Sequence, residues 1–249
     1  MSFFAKLFGN TPKNTKNTSR NYSAESAAEQ ERRKANVEAQ MLKDAIDFIR
    51  VNAEGEDGDA DYQFQYGVMF ATGQGPGGRG SFTKDLNKAV YWLKKSASQG
   101  NLDAVAMLGR ICMDNGKPEI GVKYYRKAAE RGHEAACENL AMAYGMGDGV
   151  PEDKVEAHKW FLKAAELGSA FAQYIAGNNY FNGIGVEENP NEAMRWFDKA
   201  ANQGQPDAQF MMGQFNEYGR EDIEEAKKWY RLAAAQGHEE AQAKLKTLK

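Results

Sequence analysis

Residues 160–168, WFLKAAELG, recur in variant form five times along a chain of 249 residues, and no other feature constrains the fold as strongly. The other copies are WLKKSASQG (92–100), YYRKAAERG (124–132), WFDKAANQG (196–204) and WYRLAAAQG (229–237). Their terminal glycines lie 32, 36, 36 and 33 residues apart. That period fits one helix-turn-helix unit per repeat, and such units stack because none can bury its apolar face alone.

Counting back from each glycine defines the second helix of a unit. Ala89, Gly121, Ala157, Ala193 and Ala226 stand eleven places before it, and Trp92, Tyr124, Trp160, Trp196 and Trp229 eight before. Leu93, Tyr125, Phe161, Phe197 and Tyr230 follow at seven before, with Ala97, Ala129, Ala165, Ala201 and Ala234 at three before. These offsets fall on one face of a 3.6-residue helix. The aromatic fills the space between helices, the alanines admit close approach, and the glycine supplies a left-handed stop. The tryptophan stripe, Trp160 included, is therefore expected in the core.

Counting forward defines the first helix of the next unit. With Gly58 opening the first unit, Tyr62, Ala104, Ala136, Ala172 and Ala208 come four places after the glycine. Gly67, Gly109, Ala141, Gly177 and Gly213 come nine after, where the paired helices are expected to touch. Between the two helices lie YGMGDGVPED (144–153) in one copy and YFNGIGVEEN (180–189) in another. The pattern leucine-glycine, tyrosine, G-x-G-V, alanine, tryptophan, K-A-A and Q-G resembles the Sel1-like repeat, a relative of the tetratricopeptide repeat. The resemblance covers residues 58–237 and implies an all-α, right-handed α-solenoid. Copies ending at Gly132 and Gly237 lack the G-x-G-V loop, and Asn216 replaces the usual aromatic at the end of its helix.

The flanks read as caps. HEEAQAKLKTLK, residues 238–249, continues the pattern with Ala241 and Leu245 and forms a C-terminal capping helix. Residues 24–57 form an N-terminal capping helix and an acidic loop, with Ser26 and Glu29 as a capping box. Val37, Met41, Ala45, Phe48 and Ile49 share its apolar face, and Ala45, Phe48, Ile49 and Ala53 reproduce the spacing of Ala89, Trp92, Leu93 and Ala97. Residues 1–23 contain no acid but include Lys6, Lys13, Lys16 and Arg20, the composition of a disordered basic tail. Phe3, Phe4, Leu7 and Phe8 suit weak docking on a membrane surface or a partner.

Motifs that carry chemistry fail on inspection. GQGPGGRGS, residues 73–81, lacks the lysine of a phosphate loop and is the inter-helix loop lengthened by six residues. In EGEDGDADY, residues 54–62, counting from Asp57 puts Tyr62 at the glycine place of a calcium loop and Val68 at the glutamate place. Cys112 and Cys137 sit twelve and five places after their glycines, too far apart for a disulfide, and read as small core residues. His133, His158 and His238 form neither a triad nor a metal site. No cofactor and no enzymatic activity are expected. A net charge of -3 carries no footprint for nucleic acid. No apolar run of about 18 residues or signal-peptide core appears, so a cytoplasmic monomer is expected.

The family resemblance implies a bacterial scaffold or adaptor that binds another protein or peptide, with an immunity protein neutralising a secretion-system toxin as the alternative. It also implies that first helices line the concave side, exposing places three, six, ten, thirteen and fourteen after the glycine. After Gly168 these are Phe171, Tyr174, Asn178, Phe181 and Asn182; after Gly204 they include Phe210, Gln214 and Tyr218. The corresponding set after Gly100, with Asp103, Ala106, Arg110 and Asp114, is polar. Aromatics without a packing duty beside amides suit a peptide groove.

Overall fold

The computed structural model describes residues 27–55 and 58–248. The expected tail over residues 1–23, and Ser26 of the capping box, lie outside them. Among the described residues twelve α-helices follow one another: α1 (Ala27–Glu54), α2 (Ala60–Thr72), α3 (Leu86–Ser98), α4 (Leu102–Asp114), α5 (Pro118–Glu130) and α6 (Glu134–Met146). Then come α7 (Lys154–Leu167), α8 (Ala170–Asn182), α9 (Pro190–Asn202), α10 (Pro206–Gln214), α11 (Ile223–Ala235) and α12 (Glu239–Thr247). Among the described residues there is no β-strand, only an isolated bridge between Gln74 and Ser81. Two compact units divide between Asp44 and Ala45. The first contains the beginning of α1, where Val37 and Met41 are exposed. The second is an α-solenoid in which each helix from α2 onward packs on the next.

Each first helix opens on the residue after a repeat glycine, and that residue caps it. Asp59, Asn101, His133, Ser169, Gln205 and His238 all accept a backbone N–H from the first turn, filling orphan donors there. The preceding glycines turn the chain with φ between 84° and 116° at Gly100, Gly132, Gly168, Gly204 and Gly237, in the region expected for the stop.

Within a repeat, the residue seven before the glycine packs on the small residue nine after the previous one. A Cβ at Gly177 would lie 2.8 Å from the Phe197 ring, and one at Gly213 would lie 2.5 Å from Tyr230. Leu93 meets Gly67 and Tyr125 meets Gly109 in the same way. Between repeats, the second glycine of G-x-G-V presses on the previous second helix. A Cβ at Gly185 would stand 2.0 Å from the Lys154 carbonyl oxygen, and one at Gly149 2.4 Å from the Pro118 carbonyl carbon. Both glycines also have positive φ, so the motif meets two requirements that only glycine satisfies.

The tryptophans are less central than their repetition suggests. Leu93, Phe197 and Tyr230 are fully buried, and Trp92 and Trp196 nearly so, but Trp160 and Trp229 are only half-buried. Trp92 and Trp196 thus belong to the core, as expected, while Trp160 and Trp229 lie at its edge; three of the four indoles also carry a lysine three places on. Lys95, Lys163 and Lys199 sit 5.3, 4.9 and 3.9 Å from the Trp92, Trp160 and Trp196 ring centres. A similar correction applies to α1. Ala45, Ile49 and Ala53 are buried, whereas Phe48, at the tryptophan-equivalent place, is 43% exposed and meets Tyr62 edge-on at 5.5 Å.

Two polar ladders join the repeats. Gln99, Gln203 and Gln236, each just before a repeat glycine, donate to the carbonyl of the previous repeat glycine and to the side chain of Gln63, Gln173 or Gln209, at 2.8–2.9 Å. Gln173 and Gln209 in turn donate to Ala165 and Ala201 oxygens. In the repeat after Gly132 the place belongs to Cys137, whose thiol approaches the Ala129 oxygen at 3.6 Å, and Lys163 donates there at 2.8 Å. Cys112 and Cys137 are both free thiols. In the second ladder, Asn101 donates to Asp61 at 2.9 Å and His133 meets Asp103 at 3.0 Å.

Candidate partner-binding surface

The side chains expected to form the binding face lie on α8, on α10 and on the turn that follows. At that turn the chain departs from the other repeats. Residues Phe215–Gly219 form a π-turn, with the Arg220 N–H bonded to the Phe215 carbonyl five residues back. Asn216, buried where Phe70, Tyr144 and Tyr180 stand in three sister repeats, donates to the Met212 carbonyl at 2.8 Å. The widened turn carries Tyr218 outward, leaving it 66% exposed.

Several of the expected rings turn out to have packing partners. Tyr174 is half-buried with its centroid 5.8 Å from that of Phe197, and Phe210 lies between Tyr230 at 5.5 Å and His238, on which it stacks at 4.6 Å. Phe171 is 43% exposed but meets Phe161 edge-on at 6.3 Å. Phe181, 42% exposed, meets Phe215 edge-on at 6.1 Å. Stripe position alone did not separate these roles, because each ring's partner comes from a different second helix or cap. Asn178 is half-buried and accepts from Asn182, whose amide also reaches the Asn178 carbonyl.

The structure gathers three of the expected residues in one open groove of about 340 Å³. Phe181, Gln214 and Tyr218 line it with Met211, Phe215 and Gly219. Met211 and Phe215 were not legible as site residues, because both also pack on the core around Phe197 and Met212, and Phe215 opens a π-turn that the repeat pattern does not show. Phe171, Tyr174, Asn178, Asn182 and Phe210 lie outside this lining.

A charged cluster closes the Tyr218 end. Tyr230 donates to Glu217 at 2.6 Å and Lys244 donates to the other carboxylate oxygen at 3.0 Å. Lys244 also bonds the Tyr218 hydroxyl and lies 4.6 Å from its ring centre. Burial pushes the Glu217 carboxyl up, but the bonds from Tyr230, Lys244 and Tyr218 outweigh it and hold it below its ordinary value. Burial, reinforced by Glu217, pushes the Tyr230 hydroxyl far up. Outside the groove, burial raises the Tyr174 hydroxyl, with the charges of Asp207 and Glu240 adding to it. Among the described residues no group of His, Cys, Asp or Glu is arranged to hold a metal ion, and no helix is long and apolar enough to cross a membrane.

The helix pairs match a known unit. The Sel1 repeat family model matches residues 60–101, 102–133, 134–169, 170–205 and 206–238, each match opening on a first helix. The chain belongs to the Sel1-repeat family. Sel1-repeat proteins are generally protein-interaction scaffolds. Among solved structures, a protective antigen of uropathogenic Escherichia coli with an SLR fold is 30% identical, with a TM-score of 0.65 over 80% of this chain and 43% of its own. A Sel1 repeat protein from Oxalobacter formigenes is 27% identical, with a TM-score of 0.66 over 88% of this chain and 69% of its own. An Arabidopsis thaliana F-box protein is 34% identical over 83 residues, 33% of this chain. This Sel1-repeat chain thus spans only 23% of that curated relative.

Proposed function

We propose that this Sel1-repeat protein is a scaffold without chemistry of its own, binding an extended segment of a partner protein along the first-helix, concave face of its fourth and fifth repeats. The observation that carries this reading is the groove between α8 and the π-turn. There Phe181 and Tyr218 keep large apolar surfaces in solvent on adjacent repeats, beside the amide of Gln214. Exposed rings that converge on one concavity are the usual anchors of a protein interface, and an amide between them can serve the partner's backbone. Tyr174 and Phe210 are half-buried on this face, Phe171 is exposed on it, and Asn178 and Asn182 complete the set.

The test is a double variant, Phe181→Ala with Gln214→Ala, both at places where little folded structure depends on the side chain. Binding to a partner captured by the full chain should weaken by about tenfold or more, the scale of a lost hot spot. The helical circular dichroism should stay unchanged. A partner that binds the variant with native affinity would remove this face from consideration. If the partner is a toxin, equimolar inhibition of its activity assigns an immunity role.

A further inference from the structure

Charge is divided between the two layers of the solenoid. The first helices, from α2 to the π-turn after α10, carry seven carboxylates and a single cation, Arg110. The second helices carry fourteen Lys or Arg against eight carboxylates. Many of those cations are engaged locally: Lys95, Lys163 and Lys199 lie over tryptophans, while Lys159, Arg195 and Lys228 pair with acids three residues earlier.

Among the first-helix carboxylates, by contrast, Asp61, Asp103 and Asp207 have amide or imidazole partners instead of Lys or Arg. Asp61 accepts from the Asn101 amide. Asp207 accepts from Gln205 at 2.9 Å and faces His238 Nε2 at 3.4 Å. His238 Nδ1 accepts the Ala241 N–H, so it is the Nε2 side of the ring that faces Asp207. His133 is placed in the same way, with Nδ1 accepting the Ala136 N–H and Nε2 facing Asp103. Glu217 differs, since Lys244 neutralises it.

On the fourth and fifth repeats this leaves a polarised face. Tyr174 precedes Phe181 by seven residues, and Asp207 precedes Gln214 by seven. That is about 10 Å along the helix axis, or about three residues of extended chain. The apolar groove lies at one end of this distance and Asp207, facing His238, at the other; Glu240 stands one helical turn before Lys244, and the charges of both acids raise the Tyr174 hydroxyl.

We propose that the groove's occupant is a cationic extended segment, with a large aliphatic side chain seated among Phe181, Met211 and Phe215 and a Lys or Arg about three residues away held by Asp207 and Glu240 over the Tyr174 ring. This rests on the reading of the groove as the partner site and adds the partner's chemistry. Charge complementarity selects the occupant: an acidic segment would meet two carboxylates, Asp207 and Glu240, that neither Lys nor Arg pairs among the described residues.

The test uses two short fluorescent peptides that differ only in carrying Lys or Glu three residues from a leucine, titrated against the full chain by anisotropy. The lysine peptide should bind, and lose about two- to fivefold in affinity in Glu240→Gln and in Asp207→Asn. It should weaken further as salt rises from about 50 to about 300 mM. The glutamate peptide should bind far more weakly. Equal affinity of the two peptides, no binding of the lysine peptide, or indifference to Glu240→Gln each overturns the inference. Phe181→Ala separates this failure from that of the groove itself. Binding that depends on Phe181 without a charge preference retains the groove and rejects the cationic occupant. Binding indifferent to Phe181 rejects both.

Discussion

Phe197, seven places before its repeat glycine, is fully buried against the bare backbone of Gly177, while Trp160, eight places before its own, keeps part of its indole in solvent. Truncation should therefore rank them opposite to their size. Phe197→Ala should cost about 3–5 kcal/mol and Trp160→Ala roughly half of that in urea unfolding. Equal costs would return the tryptophan to the core. His158 provides a pH readout at the same scale. It is buried, accepts from the Asn179 amide at Nδ1 and meets Tyr180 edge-on, and burial lowers its pKa below 6.5. Below pH 6.5 the unfolded chain takes up a proton that the folded ring resists, so this residue's contribution is complete above that pH and is lost as pH falls. Melting temperature should thus fall less steeply from neutral to mildly acid pH in His158→Gln than in the parent. Parallel curves would show that the ring titrates normally in the fold.

Among the elements, helix number, register and stops were readable because a 3.6-residue spacing recurs with a fixed glycine. The Gly177–Phe197 contact followed from the same count. The glutamine ladder was also present in the sequence, as Gln at five places after one glycine and immediately before the next, but amide partnerships between units have no helical period to expose them. Gln203→Ala should remove bonds to Gly168 and Gln173 and strand a buried amide oxygen. A loss of about 1–3 kcal/mol in chemical unfolding is expected, and a loss within error would make the ladder ornamental. The π-turn was not legible. It arises where the repeat after Gly204 lacks G-x-G-V, Asn216 replaces a ring, and Glu221 takes a left-handed φ of 56°, a combination that no sister repeat displays. Because that turn contains Phe215, Tyr218 and Gly219 of the groove lining, the stripe of candidate residues was readable while the groove itself was not.

At the scale of the solenoid, the layers divide the work. Second helices supply the buried rings and engage their cations on tryptophans and neighbouring acids, and first helices supply small residues inward and carboxylates, amides and a few rings outward. The concave-face proposal places the partner on the second of these surfaces, at α8 and the end of α10. Hydrogen exchange of the full chain, with and without a saturating partner, measures this directly. The account predicts slowed exchange concentrated in α8, α10 and residues 215–219, with α7, α9 and α11 unchanged. Protection centred on the second helices, with α8 and the π-turn exchanging as in the free protein, would contradict it.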